Sequence, residues 1–92
     1  MIPIHRFIPD ALAVVLRKAP LSPEKVAFAW RTAVGPSVDR ATSVELEGST
    51  LRVRAKDAQW RREIEHSAAL IRARLDVFLG QGVVRALDVT LE

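Results

Sequence analysis

The most restrictive feature of the sequence is a pair of alternating stretches on either side of Gly48-Ser49. If these two residues form a tight turn, each apolar side chain of one stretch lies opposite an apolar side chain of the other. The resulting pairs are Leu46 with Leu51, Glu45 with Arg52, and Val44 with Val53. A shift of one residue would place every apolar side chain opposite a polar one, so the pattern predicts a β-hairpin in this register.

Two helical segments are predicted before the hairpin. Asp10 is a suitable N-cap for a short helix over residues 11–18. Ser22-Pro23-Glu24 then combines a hydroxyl cap, a first-position proline and a first-turn carboxylate, which predicts a second helix with Trp30 on its buried side. Gly35-Pro36 ends this helix, and residues 37–41 add one further turn.

One long helix over residues 58–79 is predicted after the hairpin, with Asp57 as its N-cap. Its apolar positions follow one another at steps of three and four, which is typical of a buried stripe. They are Trp60, Ile64, Ala68, Ile71, Leu75 and Phe78. Gly80 follows as a stop signal, and residues 85–92 alternate as a final strand.

Together these elements predict an α+β fold in which helices cover one face of a three-stranded sheet. We expect one domain over residues 1–92, with residues 1–9 a candidate for a loosely ordered N-terminal segment. The expected core side chains of the sheet are Val44, Leu46, Leu51, Val53, Leu87 and Val89. Burial is also expected for Leu70 and for the N-terminal apolar residues Ile2, Ile4, Phe7 and Ile8, which would otherwise form a patch for a protein partner.

Composition narrows the possible functions. The chain has no cysteine, which excludes disulfides, thiolate metal ligands and cysteine nucleophiles. His5 and His66 do not form a metal site, and no catalytic set or nucleotide-binding loop is recognisable, so we expect no enzyme, cofactor, metal or small-molecule substrate. The apolar runs are too short for a signal peptide or a membrane span, which predicts a soluble cytoplasmic protein.

Positive charge is concentrated in residues 50–74, which carry seven cations and three carboxylates, against a net charge of +3 for the whole chain. The candidate nucleic-acid-binding residues are Arg52, Arg54, Lys56, Arg61 and Arg62. Cations at alternating positions of a strand and at the start of the following helix would suit contacts to a phosphate backbone. The alternative is a solvated charged face in which Glu45 pairs with Arg52, and Glu65 pairs with Arg61 and Arg62.

The order of several short motifs resembles the DciA-like family of bacteria. The pattern is a tryptophan, a valine-glycine pair, a glycine-led strand, and a second tryptophan ahead of a glutamate and an aliphatic residue. The positions that match are Trp30, Val34, Gly35, Gly48, Leu51, Val53, Trp60, Glu63, Ile64, Leu70 and Leu75. We interpret Trp30, Val34, Gly35, Gly48, Leu51, Val53, Trp60 and Ile64 as structural positions of this signature.

The resemblance implies a KH-like fold of the prokaryotic type and a role in DNA replication. Its implied partners are the replicative helicase of the DnaB type and single-stranded DNA. The GxxG loop of KH domains is missing, because Gly35 is followed by Pro-Ser-Val and Gly80 and Gly82 have the wrong spacing. A stand-alone module for single-stranded RNA or DNA and a pure protein-interaction domain therefore remain alternative functions.

Overall fold

The computed structural model describes residues 18–92, which form four helices and three strands. In chain order they are α1 (Pro23–Val34), α2 (Pro36–Arg40), β1 (Thr42–Glu47), β2 (Thr50–Ala55), α3 (Ala58–His66), α4 (Ala68–Leu79) and β3 (Ala86–Leu91). The predicted α+β class is confirmed, and the described elements follow the predicted order except that two helices, α3 and α4, stand where one long helix was predicted.

The three strands form one mixed sheet with β2 in the middle. β1 pairs with β2 in antiparallel orientation, and the predicted register is confirmed because Val44 lies opposite Val53 and Leu46 opposite Leu51. β3 pairs with the other side of β2 in parallel orientation. A parallel pair needs a crossover connection, and α3 and α4 provide it.

The predicted signals at the helix ends are confirmed by hydrogen bonds and backbone angles. The Ser22 hydroxyl accepts a hydrogen bond from the backbone N–H of Lys25 at 3.1 Å, and the Asp57 carboxylate accepts one from the N–H of Trp60 at 3.0 Å. Gly35 separates α1 from α2 with a φ of 90°, a value that side-chain-bearing residues rarely adopt.

The prediction of one long helix over residues 58–79 is wrong, because Ser67 divides it into α3 and α4. Ser67 has φ −100° and ψ 9°, which lies outside the α-helical region. Its N–H is shared between the carbonyl oxygens of Glu63 at 3.2 Å and Ile64 at 3.1 Å. The helical hydrogen-bond pattern therefore changes at this residue, while the apolar spacing continues across it.

The core lies between the helices and one face of the sheet. Its largest fully buried side chains are Trp30, Leu51, Ile64, Leu75 and Val53. The other predicted sheet-core residues, Val44, Leu46, Leu87 and Val89, are half-buried and pack against this core, since they lie on the two edge strands. Trp60 is also half-buried against the core, whereas the expected burial of Leu70 is wrong because this residue is 54% exposed.

Several predictions concern residues before position 18 and lie outside the described part of the chain. These are the helix over residues 11–18, apart from Lys18, the apolar residues Ile2, Ile4, Phe7 and Ile8, and His5. Among the helices within residues 18–92, none has the length and hydropathy that crossing a membrane requires.

Candidate functional site

The candidate basic residues of β2 lie on the face of the sheet that the helices leave open. Leu51, Val53 and Ala55 point into the core, so the alternating Arg52 and Arg54 point to the opposite face. Both arginines are exposed. Because β2 is the central strand, each arginine has one neighbour on β1 and one on β3.

Arg52 is surrounded by carboxylates on this open face. Its register partners are Glu45 on β1 and Asp88 on β3. Its guanidinium forms ion pairs with Glu47 at 3.1 Å and with Asp88 at 3.7 Å. Glu45 and Arg52 are register partners as predicted, but the predicted ion pair between them is not formed, because the guanidinium pairs with the diagonal neighbour Glu47 and with Asp88 of β3. Arg52 is thus the one cation among three carboxylates (+1 −3) at these strand positions, while Arg85 lies further along, at the β1–β2 turn, where its N–H donates to the carbonyl of Ser49 at 2.7 Å.

Arg54 has a different setting, two positions further along the same strand. Its register partners are Ser43 and Thr90, which both carry a hydroxyl group and no charge. No ion pair to Arg54 is found in the part of the chain that the structure describes. The guanidinium of Arg54 and the two hydroxyl groups can each donate a hydrogen bond to a phosphate oxygen, and none of these three groups carries a negative charge.

The end of β2 brings further cations close to Arg54. The N–H of Lys56 donates to the carbonyl of Ala41 at 2.9 Å, which places the exposed Arg40 beside the start of α3. Sequence reasoning missed Arg40, because only the pairing of β1 with β2 brings it near Lys56. The N–H of Glu92 donates to the carbonyl of Ala55 at 2.9 Å, so one carboxylate also reaches this end of the sheet.

Arg61 and Arg62 lie on α3, directly after this point. Arg62 is exposed and Arg61 is half-buried. Glu65 forms no ion pair with either arginine within residues 18–92, so the predicted pairing along the helix is not observed. We refer to Arg40, Arg54, Lys56, Arg61 and Arg62 as the basic junction, because they lie on or beside the connection between β2 and α3.

The residues of the structural signature lie mainly in the core or at turns. Trp30, Leu51, Val53 and Ile64 are buried, and Val34 and Trp60 are half-buried. Gly35, which directly precedes α2, has a positive φ of 90°, and Gly48, which directly follows β1, has a positive φ of 60°.

The geometry of the described residues offers no metal centre. His66 is exposed, and no group of three or more histidine, cysteine, aspartate or glutamate side chains between residues 18 and 92 is arranged to hold an ion. The open face brings together guanidinium and hydroxyl groups, and around Arg52 it also carries the carboxylates of Glu45, Glu47 and Asp88.

Comparison with known proteins identifies a family for this chain. The family model described as "Dna[CI] antecedent, DciA" matches residues 3–89, which is nearly the whole chain. No curated protein matches the sequence.

Proposed function

Because the chain belongs to the DciA family, we propose that it is a non-enzymatic accessory module that binds a DnaB-type replicative helicase and single-stranded DNA. The family has a role with the replicative helicase DnaB in replication, and it is a helicase-loading family without a catalytic activity. The family match over residues 3–89 is the single observation that carries the proposal. A replication role also favours a cytoplasmic location.

The basic junction supports the DNA-binding part of the proposal. Single-stranded nucleic acid is bound through cations that follow its phosphates, and arginine offers the fork of N–H donors that phosphate oxygens accept. Arg54, Lys56 and Arg62 are exposed and form no ion pair among residues 18–92. Arg52 is a weaker candidate than its neighbours, since Glu47 and Asp88 already occupy its guanidinium.

The order of the described elements also supports the proposal of a KH-like fold. Two strands, two helices and a third strand form a mixed three-stranded sheet after α1 and α2. Without a GxxG loop, nucleic acid would not be held in the manner of KH domains, and the basic junction would have to supply the contacts.

A pure protein-interaction domain is the second candidate, and the negative balance around Arg52 favours it. In that case the open sheet face would not attract nucleic acid, and the cations would serve solubility. A stand-alone module for RNA or DNA would bind nucleic acid but not the helicase.

Two binding measurements separate these functions. The purified chain is titrated into the cognate DnaB-type helicase, and separately into a labelled single-stranded oligonucleotide at several salt concentrations. We expect binding in both. The affinity for DNA should fall as the salt concentration rises, because binding releases counterions from the DNA and added salt opposes that release. Helicase binding alone would favour the pure interaction domain, DNA binding alone would favour the stand-alone module, and loss of both would refute the proposal.

A triple variant tests the basic junction directly. Arg54/Lys56/Arg62→Ala should lower the slope of log affinity against log salt by about 2, because each phosphate contact to a single strand contributes about 0.7. The matched control Lys18/Arg31/Arg85→Ala removes the same charge from exposed positions outside the basic junction. Equal losses in the two variants would show that net charge, rather than the junction, determines binding.

A further inference from the structure

Three polar side chains form one row across the open face of the sheet. The register places Ser43 of β1 and Thr90 of β3 on either side of Arg54 of β2. All three residues are exposed and alternate with residues that face the core. Neighbouring strands lie about 4.8 Å apart, so the row extends over roughly 10 Å. It therefore presents two hydroxyl groups and one guanidinium to the same ligand.

The side chains of this row have no partner within the described part of the chain. Arg54 forms no ion pair there, and neither of the two hydroxyl groups forms a hydrogen bond. Thr42, the neighbour of Ser43 on β1, gives the contrast. Its hydroxyl group accepts a hydrogen bond from Trp30 and donates one to the carbonyl of Val38, so it serves the fold. The hydroxyl groups on the open face are left for a ligand.

The adjacent row, nearer to the β1–β2 turn, has a different chemistry. Arg52 has Glu45 and Asp88 as register partners, and its guanidinium is paired with Glu47 and Asp88. A carboxylate and a phosphate oxygen both accept hydrogen bonds and donate none, so they cannot bind each other, whereas a hydroxyl group can donate to either. Arg52 thus binds carboxylates of its own chain, and Arg54 is available to an anion from outside.

We propose that Ser43, Arg54 and Thr90 form one phosphate-binding row. The two hydroxyl groups donate hydrogen bonds to phosphate oxygens of the nucleic acid, and Arg54 neutralises the charge of those oxygens. This inference rests on the proposed function, which supplies single-stranded DNA as the ligand, and it adds two uncharged contacts that the distribution of basic residues does not reveal. The acidic row on one side directs the phosphate backbone away from the turn, towards Lys56.

Charged and uncharged contacts to a phosphate differ in their dependence on salt. A cation that contacts a phosphate releases counterions, so each such contact to a single strand adds about 0.7 to the slope of log affinity against log salt. A hydroxyl group carries no charge and releases no counterion. Its hydrogen bond therefore strengthens binding by the same factor at every salt concentration, and this difference separates the two hydroxyl groups from Arg54.

The test removes the two hydroxyl groups and keeps every charge. In the full chain, Ser43→Ala/Thr90→Val should raise the Kd for a labelled oligothymidylate about tenfold at every salt concentration, because two hydrogen bonds are lost. The slope of log affinity against log salt should not change. Each single substitution should raise the Kd about threefold, which keeps the test valid if the double variant is unstable.

The matched control is Ser49→Ala/Thr50→Val, which removes the same two kinds of hydroxyl group next to the turn and outside the row. It should leave the Kd within about threefold of the original. Thermal unfolding of each variant is measured in parallel, so that loss of fold is not mistaken for loss of contact.

A second comparison tests whether the row acts as a unit. Arg54→Ala alone should lower the slope by about 0.7. In the Arg54→Ala background, Ser43→Ala/Thr90→Val should raise the Kd by less than about threefold, because residues that share one ligand group have non-additive effects. A phosphate that is no longer held at Arg54 is not held over the hydroxyl groups either.

An abasic strand separates contacts to phosphates from contacts to bases. An abasic oligodeoxyribonucleotide has the same sugar-phosphate backbone as oligothymidylate and lacks the bases. Ser43→Ala/Thr90→Val should therefore weaken the binding of both strands by the same factor.

The outcomes separate this inference from the proposed function. If the unaltered chain binds DNA and the hydroxyl variant binds equally well, the row is not a phosphate site and only this inference is overturned. The inference is also overturned if the loss disappears with the abasic strand, or if it is equally large in the Arg54→Ala background. If the unaltered chain binds no DNA, the DNA-binding part of the proposed function fails, and the inference fails with it.

Discussion

The hydroxyl group of Thr42 connects three elements of the fold. It accepts a hydrogen bond from the indole N–H of Trp30 at 2.9 Å and donates one to the carbonyl of Val38 at 2.7 Å. Trp30 is only 1% exposed, so its N–H cannot be hydrated instead. The contact fixes α1 and α2 at the start of β1, and it contributes to the absence of unsatisfied buried side-chain groups among residues 18–92.

We predict that Thr42→Val destabilises the protein by about 1–3 kcal/mol, although valine has nearly the same shape and favours strands equally well. The substitution leaves the buried indole N–H without an acceptor, and an unsatisfied buried donor has this cost. The free energy of unfolding from urea titration measures the effect. Thr42→Ser is the matched control, because it keeps the hydroxyl group, and equal stability of the valine variant and the original would contradict the prediction.

Single residues also show where prediction from sequence succeeds and where it stops. The burial of Trp30 follows from its helical spacing to Val26 and Ala33, a local property that the sequence contains. The partners of Arg52 do not follow from the sequence in the same way. Asp88 becomes its neighbour only because β3 pairs with β2, and the chain between them is longer than any local rule spans.

At the scale of elements, the hairpin was predictable and the break between α3 and α4 was not. The hairpin register follows from side-chain alternation, which changes completely when the register shifts by one residue. Helical periodicity is insensitive to one non-helical residue, because Ser67 turns the chain by nearly as much as a helical residue does. The steps of three and four from Ile64 through Ala68 to Ile71 therefore continue without a visible interruption.

Gly35 determines how α1 and α2 join. Its φ of 90° and ψ of 166° fall in a region that is accessible almost only to glycine. A Cβ atom at this position would meet no other atom within 4 Å, so the backbone angles alone limit substitution.

We predict that Gly35→Ala lowers the free energy of unfolding by about 1–3 kcal/mol, which is the typical strain of a side-chain-bearing residue in such a region. Chemical denaturation followed by tryptophan fluorescence measures the change. Gly48→Asn is the control, because its φ of 60° lies in the left-handed region that asparagine tolerates, and its cost should be smaller. A fully stable Gly35→Ala protein would show that the junction of α1 and α2 can adopt another geometry.

For the whole molecule, the position of charge matters more than its total. The sequence predicts a basic segment over residues 50–74, and the fold divides it by placing carboxylates from β1 and β3 around Arg52 while leaving hydroxyl groups beside Arg54. The candidate binding residues were therefore predictable as a set, but their ranking by availability for a phosphate contact was not. That ranking depends on which strands flank β2, and strand order is a property of the complete fold.

We predict that the double variant Glu47→Gln/Asp88→Asn increases affinity for single-stranded DNA. It removes both ion-pair partners of Arg52, so that Arg52 joins Arg54 and Lys56 on the open face as one more phosphate contact. The slope of log affinity against log salt should then steepen by about 0.7. The fold should persist, because exposed ion pairs contribute at most about 1 kcal/mol each. Fluorescence anisotropy with a labelled oligonucleotide provides the measurement.

The control for this experiment is Glu24→Gln/Asp76→Asn, which makes the same change in net charge away from the sheet. If both variants gain affinity equally, long-range attraction accounts for the effect and Arg52 makes no contact. If only the sheet variant gains affinity and its salt dependence steepens, the carboxylates around Arg52 limit how far nucleic acid extends along β2. In that case Glu47 and Asp88 set one boundary of the DNA-binding surface, and the basic junction sets the other.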